Sequence, residues 1–395
     1  MTRLLIVFLI GLLVLPMVSA QESGAFYTGT YQNVLAEWGL SKAEIQTRID
    51  QAWQQLFYGD DRNERVYYPV GEDMAYMLDV ANKDVRSEGM SYGMMIAVQL
   101  DKQEEFNRLW KWAKTYMYNG EGSAYEGFFA WHCLPDGTQI DVNPASDGEV
   151  WFVTALFFAA GRWGNGDGIF NYTAEANAIL RTMLSEKMFD PETKQVVFVP
   201  GGVTGTFTDP SYHQPHYYEL WSRWATEDNE FWAEAAAASR AFWQTTAHPV
   251  TGLMPNYAQF TGEPQPWGDY GDVFYADAWR NAMNVAVDYA WFAADPWQVE
   301  QSNRWLEFFY GLGIGRYNTK FMIDGTPVAP QHRSTGLIAM NATASLAATT
   351  EHRWEFVEEF WNTPVPAGQW RYYDGLLYML ALLHLSGNFR IYEPS

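Results

Sequence analysis

Cysteine is almost missing from this chain: of 395 residues only Cys133 carries a thiol. That excludes an internal disulfide and any zinc site built on paired thiolates. The one thiol reads as a small buried hydrophobe. Positive charge is scarce as well, with 25 Lys and Arg against 47 Asp and Glu and a net charge of −22. No basic cluster relieves the imbalance, which argues against a nucleic-acid partner, while the negative charge favours solubility. Metal signatures are lacking too. There is no His-x-x-x-His, and the acids between Asp136 and Asp147 do not have the spacing of a calcium loop. No G-x-S-x-G marks a serine hydrolase. Neither a repeat nor a low-complexity linker divides the chain.

Long apolar runs are confined to the start. Arg3 precedes an apolar stretch from Leu4 to Val14, followed by Val18-Ser19-Ala20 and a polar start at Gln21. This is the layout of a signal peptide with a small-residue cleavage site, and the run is short for a span of about 20 residues. Cleavage after Ala20 removes one Arg and no acid, moving the net charge from −22 to −23. The expected mature protein is one domain, residues 21–395, secreted or periplasmic and free of the membrane.

Aromatic residues are plentiful, at 17% of the chain with 19 Trp. A core between many helices accounts for most of them; others suit a groove in which indole and phenol faces stack on sugar rings. Helical periodicity dominates. Ser41 and Glu44 form a capping box for a helix to about Tyr58, Glu88 to Leu100 makes a second, and Asp101 caps a third to 118. Further helices are expected at 147–162, 173–188, 216–226, 228–247, 276–292, 297–311, 334–349, 352–361 and 371–386. Gln195 to Val199 is the clearest strand. Helices 88–100, 147–160, 334–349 and 375–384 are apolar nearly all round; 41–58, 102–118, 228–247 and 352–361 have a charged side. Buried helices alternating with half-exposed ones predict two concentric rings of six, an all-α (α/α)6 barrel. Long loops at 119–146, 190–215, 248–275 and 312–333 lead into the buried helices and build one face.

Three acidic clusters open buried helices: Ser87-Glu88-Gly89, Ala145-Ser146-Asp147-Gly148 and Tyr275-Ala276-Asp277-Ala278-Trp279-Arg280. An acid at a helix start is commonly there for the macrodipole. Here small residues surround each acid and aromatic loops stand in front, which points to acid/base chemistry on a neutral polymer. Hydrolysis of a glycosidic bond needs one carboxylic acid to protonate the leaving oxygen and one carboxylate to attack or activate water. Burial raises a carboxyl pKa towards what a general acid needs. Glu88 suits the acid, Asp277 the base and Asp147 a sugar-binding helper, although an acidic chain offers other choices. Asp272 competes for the base, but it lies in a Gly-rich loop, without the helix start and the Arg280 behind Asp277. Trp131 fits a stacking platform and a core position equally.

These motifs resemble glycoside hydrolase family 8. Ala145-Ser146-Asp147-Gly148 with Ala155, Leu156, Ala159 and Trp163 resembles its diagnostic segment, and the Glu88 and Asp277 stretches resemble its acid and base regions, from about Gly29 to Tyr392. The resemblance implies an (α/α)6 barrel and inversion at the anomeric carbon, with no cofactor and no metal. It gives Glu88 as acid, Asp277 as base, Asp147 as the residue holding the sugar and Tyr212 as the tyrosine that positions water or base. Arg280 then supports Asp277 through a charge-assisted pair. Glu149 stands where the family commonly has Asp, and Phe152, Val153 and Phe157 also depart from the pattern. These changes resemble the branch that releases single xylose units from the reducing end of xylo-oligosaccharides. A loop His closes the groove in that branch, and His332 is the candidate. An endo-xylanase or β-glucanase on the same scaffold, a non-catalytic sugar binder and an (α/α)6 lyase stay open as alternatives. The lyase fits worst, because uronate binding calls for basic residues.

Overall fold

The computed structural model describes residues 23–330 and 332–394. The expected signal segment, and Gln331 beside His332, lie outside the described residues. After the short helices α1 (Ala25–Thr28) and α2 (Val34–Trp38), twelve helices follow among the described residues as six successive pairs, an outer helix and then an inner one, each inner helix but the last packing on the outer helix that comes after it. They are α3 (Lys42–Tyr58) and α4 (Ser87–Gln99), α5 (Gln103–Trp112) and α6 (Ser146–Trp163), α7 (Tyr172–Ser185) and α8 (Pro215–Trp224). The second half comprises α9 (Asn229–Thr246) and α10 (Ala276–Phe292), α11 (Trp297–Leu312) and α12 (Thr335–Thr343), α13 (Arg353–Asn362) and α14 (Arg371–Leu385).

The first member of each pair is amphipathic. On α3 the buried residues Ile45, Ile49, Ala52, Trp53 and Leu56 follow helical spacing and leave the other face to solvent. The second member is buried more fully, nearly all round on α4, where Glu88 alone among thirteen residues is not buried, and least so on α8, where six of ten are. Even-numbered helices form the inner ring. α4 packs on α6, α8 on α10, α10 on α12 and α12 on α14, and α14 returns to α4. Trp151 of α6 meets Tyr217 of α8 edge to face, centroids 5.3 Å apart, and Trp221 Nε1 donates to Thr154 Oγ1 at 3.1 Å. The result is the expected (α/α)6 barrel. Because every inner helix follows an outer one, the inner helices run the same way and their N-termini gather at one rim.

Several local expectations need correction. Ser41 and Glu44 do make the capping box of α3. Asp101 does not cap the third helix: its φ is +61°, α5 starts after Lys102, and its carboxylate accepts from Arg162 and Trp163 instead. α5 runs on as a π-helical turn over Ala113–Met117. α12 is shorter than expected and passes into a 3-10 turn at Ala344–Leu346. Gln195 to Val199 is no strand. Asp190 N–H donates to Gln195, Val197 N–H to Met188 and Phe198 N–H to Phe207, so the stretch changes partner before a ladder can form. The strands lie elsewhere: a hairpin of β1 (Tyr67–Val70) and β2 (Met74–Met77), and an antiparallel sheet of β3 (Val85–Arg86), β4 (His132–Cys133) and β5 (Gln139–Asp141). Cys133 is buried, as expected. Among the described residues no helix is long and apolar enough to cross a membrane.

Close approach at the rim depends on glycine. A Cβ on Gly148 of α6 would stand 2.6 Å from Ser87 Oγ and 2.8 Å from Ser87 Cβ at the start of α4. Gly148→Ala is therefore expected to force the two helix starts apart and to destabilise the fold by about 1–3 kcal/mol through overpacking. Urea unfolding of the purified variant measures this; unchanged stability would show that the rim is loosely packed.

Candidate active site

Three inner helices deliver their acids to one cation. Arg280, one turn into α10, is 2% exposed. Its Nη1 donates to Glu88 Oε2 at 2.9 Å, to Asp147 Oδ2 at 2.9 Å and to the Tyr92 hydroxyl at 3.0 Å. Nη2 donates to Asp277 Oδ1 at 3.0 Å and stands 3.9 Å from Asp209 Oδ2. Asp277 and Arg280 are one helical turn apart, which brings their side chains to the same face. Burial opposes the guanidinium charge, but the surrounding phenols and carboxyls more than offset that, and the Arg280 pKa stands well above its ordinary value.

The sheet β3-β4-β5 fixes the acid. β3 runs directly into α4, and Ser87 N–H donates to the Trp131 carbonyl at 3.0 Å, so Glu88 and Trp131 share one anchored backbone. Asp84 holds that anchor, pairing with Arg86 at 3.0 Å and with His132 Nε2 at 2.8 Å. Burial pushes the Glu88 carboxyl up to about 7; Arg280 and Arg86 pull it down, and Asp147 and Asp277 add to the rise. Asp147 is raised as well, chiefly by burial, against the Arg280 charge and a 2.8 Å bond from Gly148 N–H. The Tyr212 hydroxyl, buried among these acids, is pushed well above 10 and stays a neutral phenol.

Glu88, Asp147, Asp277, Tyr212 and Trp131 line one cavity of about 440 Å³, together with Phe198 and Tyr257. Trp131 is thus a cavity residue rather than a core residue, and Asp272 does not line this cavity. His332 stands apart, in a second chamber of about 450 Å³ with Tyr275, Trp279, Trp370, Tyr372 and Tyr373. The two linings are adjacent in sequence at the α10 start, where Tyr275 and Ala276 line one chamber and Asp277 the other. Tyr373 holds this junction by donating to the Ala276 carbonyl at 2.8 Å. The His332 ring stands edge-on to Tyr275, centroids 6.1 Å apart.

Two residues of this centre escape the sequence reading. Tyr92 lies four residues after Glu88 on the same helix face, a spacing that could have marked it. Asp209 sits two residues before the 3-10 residue Ser211, whose N–H it accepts at 2.7 Å, and so reads as a turn cap. Nothing in its sequence context announces that it also faces Arg280.

Residues 77–387 match the family model for glycosyl hydrolases family 8. The chain belongs to that family. It is 50% identical over 380 residues to the reducing-end xylose-releasing exo-oligoxylanase Rex8A of Paenibacillus barcinonensis, covering 93% of this chain and 98% of that one. The structure of Rex8A complexed with xylose superposes with a TM-score of 0.89, covering 94% of this chain and all of the other. A family 8 xylanase from Teredinibacter turnerae, a catalytic mutant in complex with xylohexaose, is 46% identical with a TM-score of 0.91 and the same coverage.

The raised Glu88 carboxyl carries a stability consequence. A carboxyl whose folded pKa exceeds its unfolded one favours the fold fully below the unfolded value, and that contribution is lost as pH rises through the folded one. For Glu88 the window runs from its ordinary value of 4.5 to about 7. Glu88→Gln is expected to be inactive yet to melt higher than the parent above pH 7, with the gap closing towards pH 4.5. Calorimetry across that range checks it; a variant melting lower at pH 8 would contradict the raised pKa.

Proposed function

We propose that this family 8 hydrolase releases xylose from the reducing end of β-1,4-xylo-oligosaccharides with inversion, Glu88 acting as general acid and Asp277 as general base. The observation that carries the reading is the sharing of one guanidinium. Glu88 and Asp277 bond to different nitrogens of Arg280. During an inverting displacement Glu88 gives its proton to the leaving oxygen, while Asp277 takes one from the attacking water. Negative charge passes from Asp277 to Glu88, and Arg280 stays paired throughout. The stabilising partner needs no rearrangement as the charge moves.

Substrate placement follows from the two chambers. The aromatic cavity with Trp131, Phe198, Tyr212 and Tyr257 suits the sugars on the non-reducing side of the cleaved bond, since a neutral pentose ring offers stacking faces and hydroxyls but no charge. Asp147 holds the sugar at the cleavage point, with Tyr212 beside the water. The second chamber takes the leaving xylose, and His332 limits it. Rex8A supports the exo reading by its similarity over almost the whole chain. Endo cleavage is favoured by one observation: the second chamber, at about 450 Å³, is as large as the first.

Xylohexaose labelled at its reducing end separates the two. Labelled xylose with unlabelled xylopentaose is expected first, the new reducing end being α by proton NMR. His332→Ala is expected to yield labelled xylobiose as well. Labelled fragments of two or more units from the parent enzyme would make it an endo-xylanase.

A further inference from the structure

Asp209 is the fourth carboxyl group around Arg280, and the reaction as read above gives it no task. It is 0% exposed. One oxygen, Oδ1, accepts the Ser211 N–H at 2.7 Å. The other, Oδ2, is buried with no hydrogen-bond partner and lies 3.9 Å from Arg280 Nη2, the nitrogen that serves Asp277 at 3.0 Å. The charged and titratable groups around it are Asp277 and Arg280 on α10, Asp147 on α6, Tyr257 from the facing loop, and Tyr212 and His213 on its own segment. Thr208 and Ser239 hydroxyls satisfy the His213 ring, and burial pushes that imidazole down to about 3, so it brings no cation.

Charge accounting limits what Asp209 can be. The reaction needs Glu88 protonated and Asp277 ionised. Asp147 and Asp277 are within hydrogen-bond distance of the one guanidinium; Asp209 is not. A further ionised carboxylate, shut off from water, would be desolvated against only the Ser211 groups and a cation 3.9 Å away that already serves Asp277. Burial and the neighbouring Asp277 carboxylate push its pKa well above the ordinary carboxyl range, against the pull of Arg280.

Resting on the acid and base roles given above, we propose that Asp209 is a positioning residue that works as a neutral carboxylic acid: it anchors the Tyr212 turn through Ser211 and leaves Arg280 Nη2 to Asp277. An ionised Asp209 would compete for that nitrogen and turn the guanidinium away from the base. Its proton, carried on Oδ2, is therefore part of the working site.

The test compares kcat, KM and the pH profile of kcat/KM on xylotriose for the parent, Asp209→Ala and Asp209→Asn. Loss of the Ser211 acceptor in the Ala variant is expected to lower kcat about a hundredfold, as small misplacements in a site do, with KM little changed. Asn keeps an acceptor without charge and is expected to recover most of that loss, with both limbs of the profile where the parent has them. If Asp209 is ionised, either substitution removes a negative charge beside Asp277, and the acid limb, set by the base, moves to lower pH by about a unit. That shift, or an Asn variant as poor as Ala, would overturn the proposal. Asp209→Ser, also neutral, gives the same reading of the limbs should Asn not fold. Failure of the parent enzyme on xylotriose would instead count against the substrate assignment and leave the Asp209 comparison to be made on the glucan or longer xylan that it does cleave.

Discussion

A guanidinium sealed inside a protein is costly unless its charge is met, and at Arg280 three carboxyl groups and a phenol meet it within 3.0 Å. The same contacts discipline the carboxyls. Without the cation, acids from α4, α6 and α10 would repel one another across a dry space and the inner helix starts would not converge. With it, one carboxyl can remain protonated beside others that are charged. The mixed protonation that the proposed general acid and general base require thus follows from a single buried cation with unevenly distributed partners.

Reaching Arg280 imposes demands on the backbone. Helix starts must come closer than ordinary side chains allow, hence Gly148 against Ser87, and Gly89 against the ring of Tyr372. The loop before each inner helix must be held in place, hence β3-β4-β5 behind Glu88 and Trp131, and Tyr373 over the α10 start. Barrel architecture supplies the remainder, since parallel inner helices present their N-termini, and the partial positive charge there, at the rim where the carboxylates sit. Stability and function draw on the same contacts, so changes at the rim are expected to affect both.

Much of this was legible in the sequence, for physical reasons that can be named. Helices apolar all round on 88–100 and 147–160 can only be interior, and their alternation with amphipathic ones such as α3 gave the double ring. Glu88, Asp147 and Asp277 stood out because each carboxylate opens such a helix. The role of Arg280 was read only in part: one helical turn predicts its pairing with Asp277, but its bonds to Glu88, 192 residues away, and to Asp147, 133 away, exist only once the ring closes. Asp209 was hidden for the same reason, its local role as a turn cap being sufficient in itself. Short strands were missed because two to four residues carry too little pattern to register, while Gln195 to Val199 is a run of β-branched and aromatic residues with no continuous partner.

If Arg280 sets the protonation of Glu88, the alkaline limb of kcat/KM in the parent enzyme and in Arg280→Gln is the most direct measurement of it. As the proposed general acid Glu88 must be protonated to act, and with Arg280 present it is pushed up only to about 7, so the parent should lose activity as pH rises through that value. Removing the cation leaves burial and the neighbouring carboxylates unopposed, so the residual activity of the variant should persist to higher pH, with its limb displaced upward by a unit or more. A limb that stays in place when Arg280 is replaced would contradict the account.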